Sequence, residues 1–334
     1  MSKIRTAVVG AGKMGRIHSK VYSQLDTCEF VGVADTDTNK ANDIAEQYNC
    51  TAFANVDDLI GKVDAVTISA PTIHHCKLAR KFIENGIAVM IEKPLASTVE
   101  EGRQIVALAD KHNVVAAVGH SERCNPVVQA MQRLRIEPKF IECNRVSPYP
   151  FRSMDIGVVL DVMIHDIDII LSLAASKIVD VQAAGVNVIG EHEDICNVRI
   201  TFENGCIANI TASRLALRTE RKVRIFSRQA YLSLDYFKKD GIIIKSDPNV
   251  DVLEWIREHQ KMDNFDFSGV NWPDLLHVEH LEIADAEPLR VEQESFINAI
   301  LDNTKRPEVT ATEGLAAIEC ADMILKSIKE HAWE

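Results

Sequence analysis

The sequence predicts an α/β chain in two parts: an N-terminal Rossmann dinucleotide-binding domain and a C-terminal α+β domain with an open, mainly antiparallel sheet. Three observations carry this. Short β-branched runs alternate with longer amphipathic stretches over about the first 120 residues, the loop Gly10-Ala-Gly-Lys-Met-Gly15 follows the first run directly, and strand-like runs then succeed one another beyond Pro126. Strands alternating with helices build a parallel sheet covered on both faces, whereas consecutive strands joined by short turns pair antiparallel.

Ile4–Val9, Phe30–Ala34, Ala65–Ser69, Ala88–Ile91 and Val114–Val118 read as the strands of the first domain. Met14, Ile17, Val21 and Leu25 recur at spacings of three and four, the apolar face of a helix laid on the sheet. Leu78–Glu84 and Val99–Lys111 repeat that pattern. Past Asn125-Pro126 come a helical stretch Val127–Leu134, a strand Phe140–Val146 and an apolar helix from about Val158 to Leu173. Val181–Val188, Asn197–Phe202, Cys206–Ser213, Lys222–Phe226 and Tyr231–Leu234 read as strands, with Asn204-Gly205 a hairpin turn. Residues 237–290 show no sustained period and are read as irregular. Thr310 and Glu313 form a capping box that opens a last helix with Leu315, Ile318 and Ile324 on its apolar face. The expected boundary separates 1–122 from 123–334, and the C-terminal helix can pack back on the first domain.

A chain of 334 residues with 46% hydrophobic and 26% charged residues suits a two-domain globular protein. A net charge of −12 disfavours nucleic acid and anionic membranes, which it would repel, and favours a small-molecule partner. Eight scattered cysteines show no metal-ligand or disulfide spacing, so reduced thiols and no metal are expected. The N-terminus lacks a signal-peptide pattern, and the apolar stretch Gly157–Ala175 carries Asp161, His165, Asp166 and Asp168, which a bilayer would penalise. A cytoplasmic location with no membrane span is expected.

The glycine loop sits between a strand and a helix, where its residues Gly10, Gly12, Lys13, Met14 and Gly15 can approach a pyrophosphate. Asp35 ends the second strand twenty residues beyond Gly15, where a carboxylate accepts the ribose hydroxyls of NAD and repels the 2′-phosphate of NADP. Ser69, Ala70, Pro71 and His74 follow another strand and can line the same crevice, although adjacent histidines in a loop are commonly just solvated. Glu92-Lys93-Pro94 lies at the carboxyl edge of the sheet; Lys93 can donate to a substrate oxygen beside the nicotinamide, or be a solvated strand end. Asp161 and His165, four apart, share one face of an apolar helix. His165 can take a hydroxyl proton with Asp161 orienting it, or the two can be a plain ion pair. In His120–Pro126, Glu122 and Asn125 can meet the cofactor and Arg123 the substrate, or they can cap the linker. Arg145, Tyr149 and Arg152 flank Pro148 and Pro150 and can clamp an anionic substrate.

Together with Pro307–Gly314, these motifs occur in the order found in the Gfo/Idh/MocA family of sugar and cyclitol oxidoreductases, which the chain resembles over nearly its whole length. The resemblance implies NAD as cofactor, a catalytic group of Lys93, Asp161 and His165, and a C-terminal open sheet used for substrate binding and for assembly into a homo-oligomer, a dimer or tetramer. The run Arg145–Asp161 is most similar to the branch of UDP-N-acetylglucosamine 3-dehydrogenases that act in lipid A sugar synthesis. That implies oxidation of a UDP-sugar at C3. An inositol or free-sugar dehydrogenase would use the same machinery. A noncatalytic NAD-binding regulator would be expected to lack the lysine or the histidine, and both are present.

Overall fold

A computed structural model describes residues 3–149, 156–228, 230–246, 258, 261 and 276–330. β1 (Ile4–Val9), β2 (Cys28–Ala34), β3 (Thr51–Phe53), β4 (Ala65–Ile68), β5 (Ala88–Glu92) and β6 (Ala116–Gly119) form one parallel sheet in the order β3-β2-β1-β4-β5-β6. β4 and β5 are buried along their whole length, as strands covered on both faces must be. The period-2 alternation divides their side chains. Val9, Ile68, Val89 and Ile91 enter one core with Phe82 and Ile105; Val8, Val33 and Met90 enter the other with Tyr22 and Phe296. The covering helices include α1 (Lys13–Tyr22), α2 (Thr38–Tyr48), α3 (His75–Glu84) and α4 (Val99–His112). Strand order reverses between β1 and β4, so ligands are expected at the carboxyl ends there. The sheet has one strand more than the sequence pattern suggested: β3 is only three residues long, too short for alternation to register.

The next elements are α5 (Pro126–Arg133), β7 (Phe140–Val146), a π-helical turn Val159–Met163 and α6 (Ile164–Ala174). They are followed by β8 (Ile178–Val186), β9 (Ile195–Phe202), β10 (Ile207–Ser213), β11 (Glu220–Phe226), β12 (Ala230–Asp235), β13 (Asp240–Ser246) and β14 (Leu276–His280), and then by α7 (Pro288–Leu301) and α8 (Ala311–Glu330). The second sheet runs β14-β13-β12-β11-β7-β10-β9-β8, antiparallel except for β7 against β10. Asn204-Gly205 closes the β9–β10 hairpin, Gly205 at φ +81° and the Asn204 side chain accepting from the Cys206 amide at 3.0 Å. β13 and β14 correct the irregular reading of 237–290. The Gly241-Ile-Ile-Ile-Lys245 run is a strand signal in its own right, and its pairing with β12 fixes it.

The chain does not divide by a single cut near 122. One compact unit takes residues up to Asn125 together with Val159–Ile169 and Ala286–Lys326; the other takes Pro126–Val158, Ile170–Asp285 and the residues from Ser327 on. The cause is core packing. Leu289, Phe296 and Ile297 of α7 complete one Rossmann core and Ile318 of α8 the other. α8 opens on the expected capping box, Glu313 N donating to Thr310 Oγ1 at 3.2 Å and Thr310 N to Glu313 Oε2 at 2.9 Å. A Cβ on Gly314 would come within 2.4 Å of Val118, so this close approach needs glycine. Among the described residues, no helix is long and apolar enough to cross a membrane.

Candidate active site

The glycine loop fits a dinucleotide by what it leaves open. A Cβ on Gly15 would lie 1.8 Å from the Gly10 carbonyl oxygen, so the loop closes on itself there, whereas a Cβ on Gly12 would meet nothing within 4 Å. Gly12 is also the N-cap of α1, with no side-chain cap and no acidic residue in the first turn. α2, α4 and α7 are capped by Asp37, Thr98 and Glu287. The amide groups and positive dipole end at α1 thus suit an anionic pyrophosphate. Asp35 stands beside the loop, its Oδ2 accepting from Ala11 N at 2.6 Å and its Oδ1 from Asp37 N at 2.8 Å. Asp35→Ser is expected to raise the NADP preference, measured as the ratio of kcat/KM values, by about tenfold or more. An unchanged ratio would remove Asp35 from the ribose site.

Glu92 does not face this crevice. Its carboxylate, 9% exposed, turns inward: His18 Nε2 lies 2.8 Å from Oε1, and Lys93 N donates to Oε2 at 3.2 Å. Gln293 Nε2 sits 3.1 Å from His18 Nδ1, which assigns the imidazole proton to Nε2 and points it at Glu92. Burial opposes ionisation of Glu92, but His18 and Lys93 outweigh it and hold the carboxyl below the usual glutamate range. The expectation that Glu92 binds cofactor is therefore corrected: it fixes the backbone of Lys93 and ties it to α1.

Lys93 Nζ donates to the Asp161 carbonyl at 2.6 Å and to Asp161 Oδ1 at 3.1 Å. Both side chains remain partly accessible, at 19% and 18%, so the pair can reach a ligand. Asp161 thus holds the lysine, a contact that stands beside its expected role of orienting His165. His165 is half-buried and packs edge to face with His120, ring centroids 6.2 Å apart and planes at 89°.

Arg123 is also reassigned from the substrate. It is 2% exposed, and its Nε and Nη2 donate to the Asp168 carboxylate at 2.9 and 2.7 Å, with Glu313 3.5 Å from Nη1. It locks the turn Ser121–Cys124, which carries Glu122 and leads to buried Asn125, to α6. Arg145, 4% exposed in β7, lies in the strand interior rather than at a surface. Tyr149 has the Arg214 guanidinium 5.4 Å from its ring centroid. Arg152 lies outside the described residues. Ser69 Oγ donates to the Gly10 carbonyl at 3.0 Å, and His74 is exposed at the end of the turn Thr72–His74. Its neighbour His75 does the structural work, reaching the carbonyls of Ala70 at 2.8 Å and Pro94 at 3.0 Å.

The buried polar residues His18, Glu292 and Gln293 were not singled out from sequence, and buried His120 entered only as the start of the His120–Pro126 stretch. Glu292 was legible as a charge inside an apolar helical face. Burial, reinforced by Glu92 and Asp168, raises its carboxyl well above the ordinary glutamate range. Because the native state then holds a proton that the unfolded chain releases above about pH 4.3, this group costs stability increasingly as pH rises towards its native value. Glu292→Gln should raise the thermal midpoint by on the order of 2–4 °C near neutrality, with a smaller gain near pH 5. A pH-independent change would show that Glu292 is not held protonated.

Residues 4–120 match the family model for the oxidoreductase family with an NAD-binding Rossmann fold, and residues 140–233 match the GFO/IDH/MocA C-terminal domain. The chain is 32% identical over 302 residues to the UDP-N-acetylglucosamine 3-dehydrogenase of Acidithiobacillus ferrooxidans, covering 90% of each. The solved structure of that enzyme superposes with a TM-score of 0.88 at 29% identity over 99% of both chains. An inositol 2-dehydrogenase of Rhizobium meliloti is 24% identical over 98% of this chain and 97% of its own length.

Proposed function

Because the chain belongs to the Gfo/Idh/MocA family of NAD-dependent oxidoreductases, we propose that it oxidises the C3 hydroxyl of UDP-N-acetylglucosamine to the 3-keto sugar. The observation that carries the substrate is the 32% identity to such a dehydrogenase across 90% of both chains. Gly10–Gly15, Asp35, Ser69–Pro71 and His74, with Glu122 and Asn125 beyond them, would hold NAD, which would supply the hydride acceptor. Lys93 donates to the reacting oxygen and stabilises the charge that develops on it, positioned by Asp161. His165 takes the hydroxyl proton. Tyr149 and Arg152 are assigned to the nucleotide, whose anionic phosphates suit an arginine.

No disulfide forms among the described residues, which suits a reducing cytoplasm, and the family resemblance favours a homo-oligomer. A 3-keto product suits a following amino transfer. The test is NAD reduction measured with UDP-N-acetylglucosamine, myo-inositol and free sugars side by side. Turnover confined to the UDP-sugar is expected. Turnover of myo-inositol alone would move the substrate to the cyclitols, the alternative favoured by the inositol dehydrogenase relative.

A further inference from the structure

Gly119 is the register partner of Glu92 at the ends of β6 and β5, so Lys93 and His120 leave adjacent strand ends side by side. His120 is 0% exposed, and neither of its ring nitrogens has a hydrogen-bond partner among the described residues. An apolar ring would fill that space without the cost of burying two polar atoms, so a histidine retained there points to a use for its nitrogens. Its aromatic neighbour is His165, at right angles to it. The charges of Glu92 and Lys93 at the end of β5, Arg123 on the following turn and Asp168 on α6 act on the ring, and those of the same two carboxylates act on Glu292 of α7. Burial, with Arg123 and Lys93, holds His120 below the ordinary histidine range against the pull of Asp168 and Glu92. It is a neutral imidazole with a lone pair to offer.

We propose that His120 is a positioning residue for the base, its ring nitrogen accepting a hydrogen bond from His165 when His165 becomes protonated. The inference rests on the assignment of His165 as base. In the step, the C–H bond gives hydride to NAD, the O–H bond gives its proton to a His165 nitrogen, and the C=O bond forms. The imidazolium then donates through an N–H to His120, which gains no net proton. Rotation of the two rings about their side-chain bonds would convert the edge-to-face pair into this imidazole–imidazolium pair. A phenylalanine keeps the packing but has no lone pair, whereas a glutamine keeps an acceptor and loses the ring.

The experiment is a titration of His165 by ¹⁵N NMR in the free protein, for wild type, His120→Phe and His120→Gln, alongside the pH profile of kcat/KM. With His120→Phe the His165 titration and the acid limb of the profile are expected to move down by about one pH unit, a tenfold loss of proton affinity. With His120→Gln more than half of that shift should be recovered. No shift with His120→Phe, or equal shifts with both variants, overturns the proposal. Thermal midpoints of the variants identify misfolding, and the NMR arm needs no turnover. If His165→Ala retains activity, the base assignment itself fails; if it does not and the His165 titration stays fixed in His120→Phe, only the role of His120 fails.

Discussion

Lys93→Met is expected to lower kcat/KM by about 10²–10⁴-fold while NAD affinity stays within about threefold. Methionine matches the length and apolar stem of lysine but cannot donate to an oxygen or neutralise the charge that builds on it as hydride leaves. The loss should appear in kcat as well as in kcat/KM, because this interaction strengthens in the transition state. Lysine is placed to act: two contacts to Asp161 fix its ammonium, and Glu92 fixes its backbone. Lys93→Arg keeps the charge but changes its position, and should recover little of the rate. Steady-state kinetics with calorimetric NAD titration separates the effects. A kcat near wild type in Lys93→Met would remove the lysine from the chemistry.

The second large effect falls on stability. Asp168→Ala removes the carboxylate that accepts from Arg123 Nε and Nη2, in a site where the two side chains are 3% and 1% exposed, and leaves the guanidinium only the looser approach of Glu313 at 3.5 Å. Breaking such a pair costs roughly 3–5 kcal/mol, because the remaining charge is not rehydrated. A fall in the thermal midpoint on the order of 10 °C follows. Asp168→Ala combined with Arg123→Met should regain part of it, since removing both charges removes the desolvation cost. Differential scanning calorimetry of the single and double variants gives the answer; a double variant less stable than Asp168→Ala would show that Glu313, 3.5 Å from Arg123 Nη1, is enough to hold the arginine.

Much of the Rossmann unit was readable because its signals are local. Gly10–Gly15, the β-branched runs and the Thr310–Glu313 capping box each carry their geometry within a few residues. The return of the C-terminal helix to the first domain was read, but the joining of α7 and of Val159–Ile169 to that unit was not, because it rests on residues far apart in sequence, such as Phe296 in the first core. The site shows the same limit. Lys93, Asp161 and His165 could be picked by residue type and place, but the contact of Asp161 with Lys93, 68 positions away, had no local signal. Arg123 and Arg145 could be picked as cations for an anionic substrate, but the pairing of Arg123 with Asp168, 45 positions away, had no local signal. His18 and Glu92, separated by 74 positions, had no sequence signal linking them.

The proposed reaction removes hydride from C3 of a UDP-sugar. The most direct test supplies UDP-N-acetylglucosamine deuterated at C3 and follows both products by NMR. Deuterium should appear at C4 of the reduced nicotinamide, with a 3-keto sugar formed in equal amount and a slowed rate. Deuterium retained in a sugar that nevertheless reduces NAD would place the oxidation at another carbon, and no NADH from this substrate would contradict the account outright.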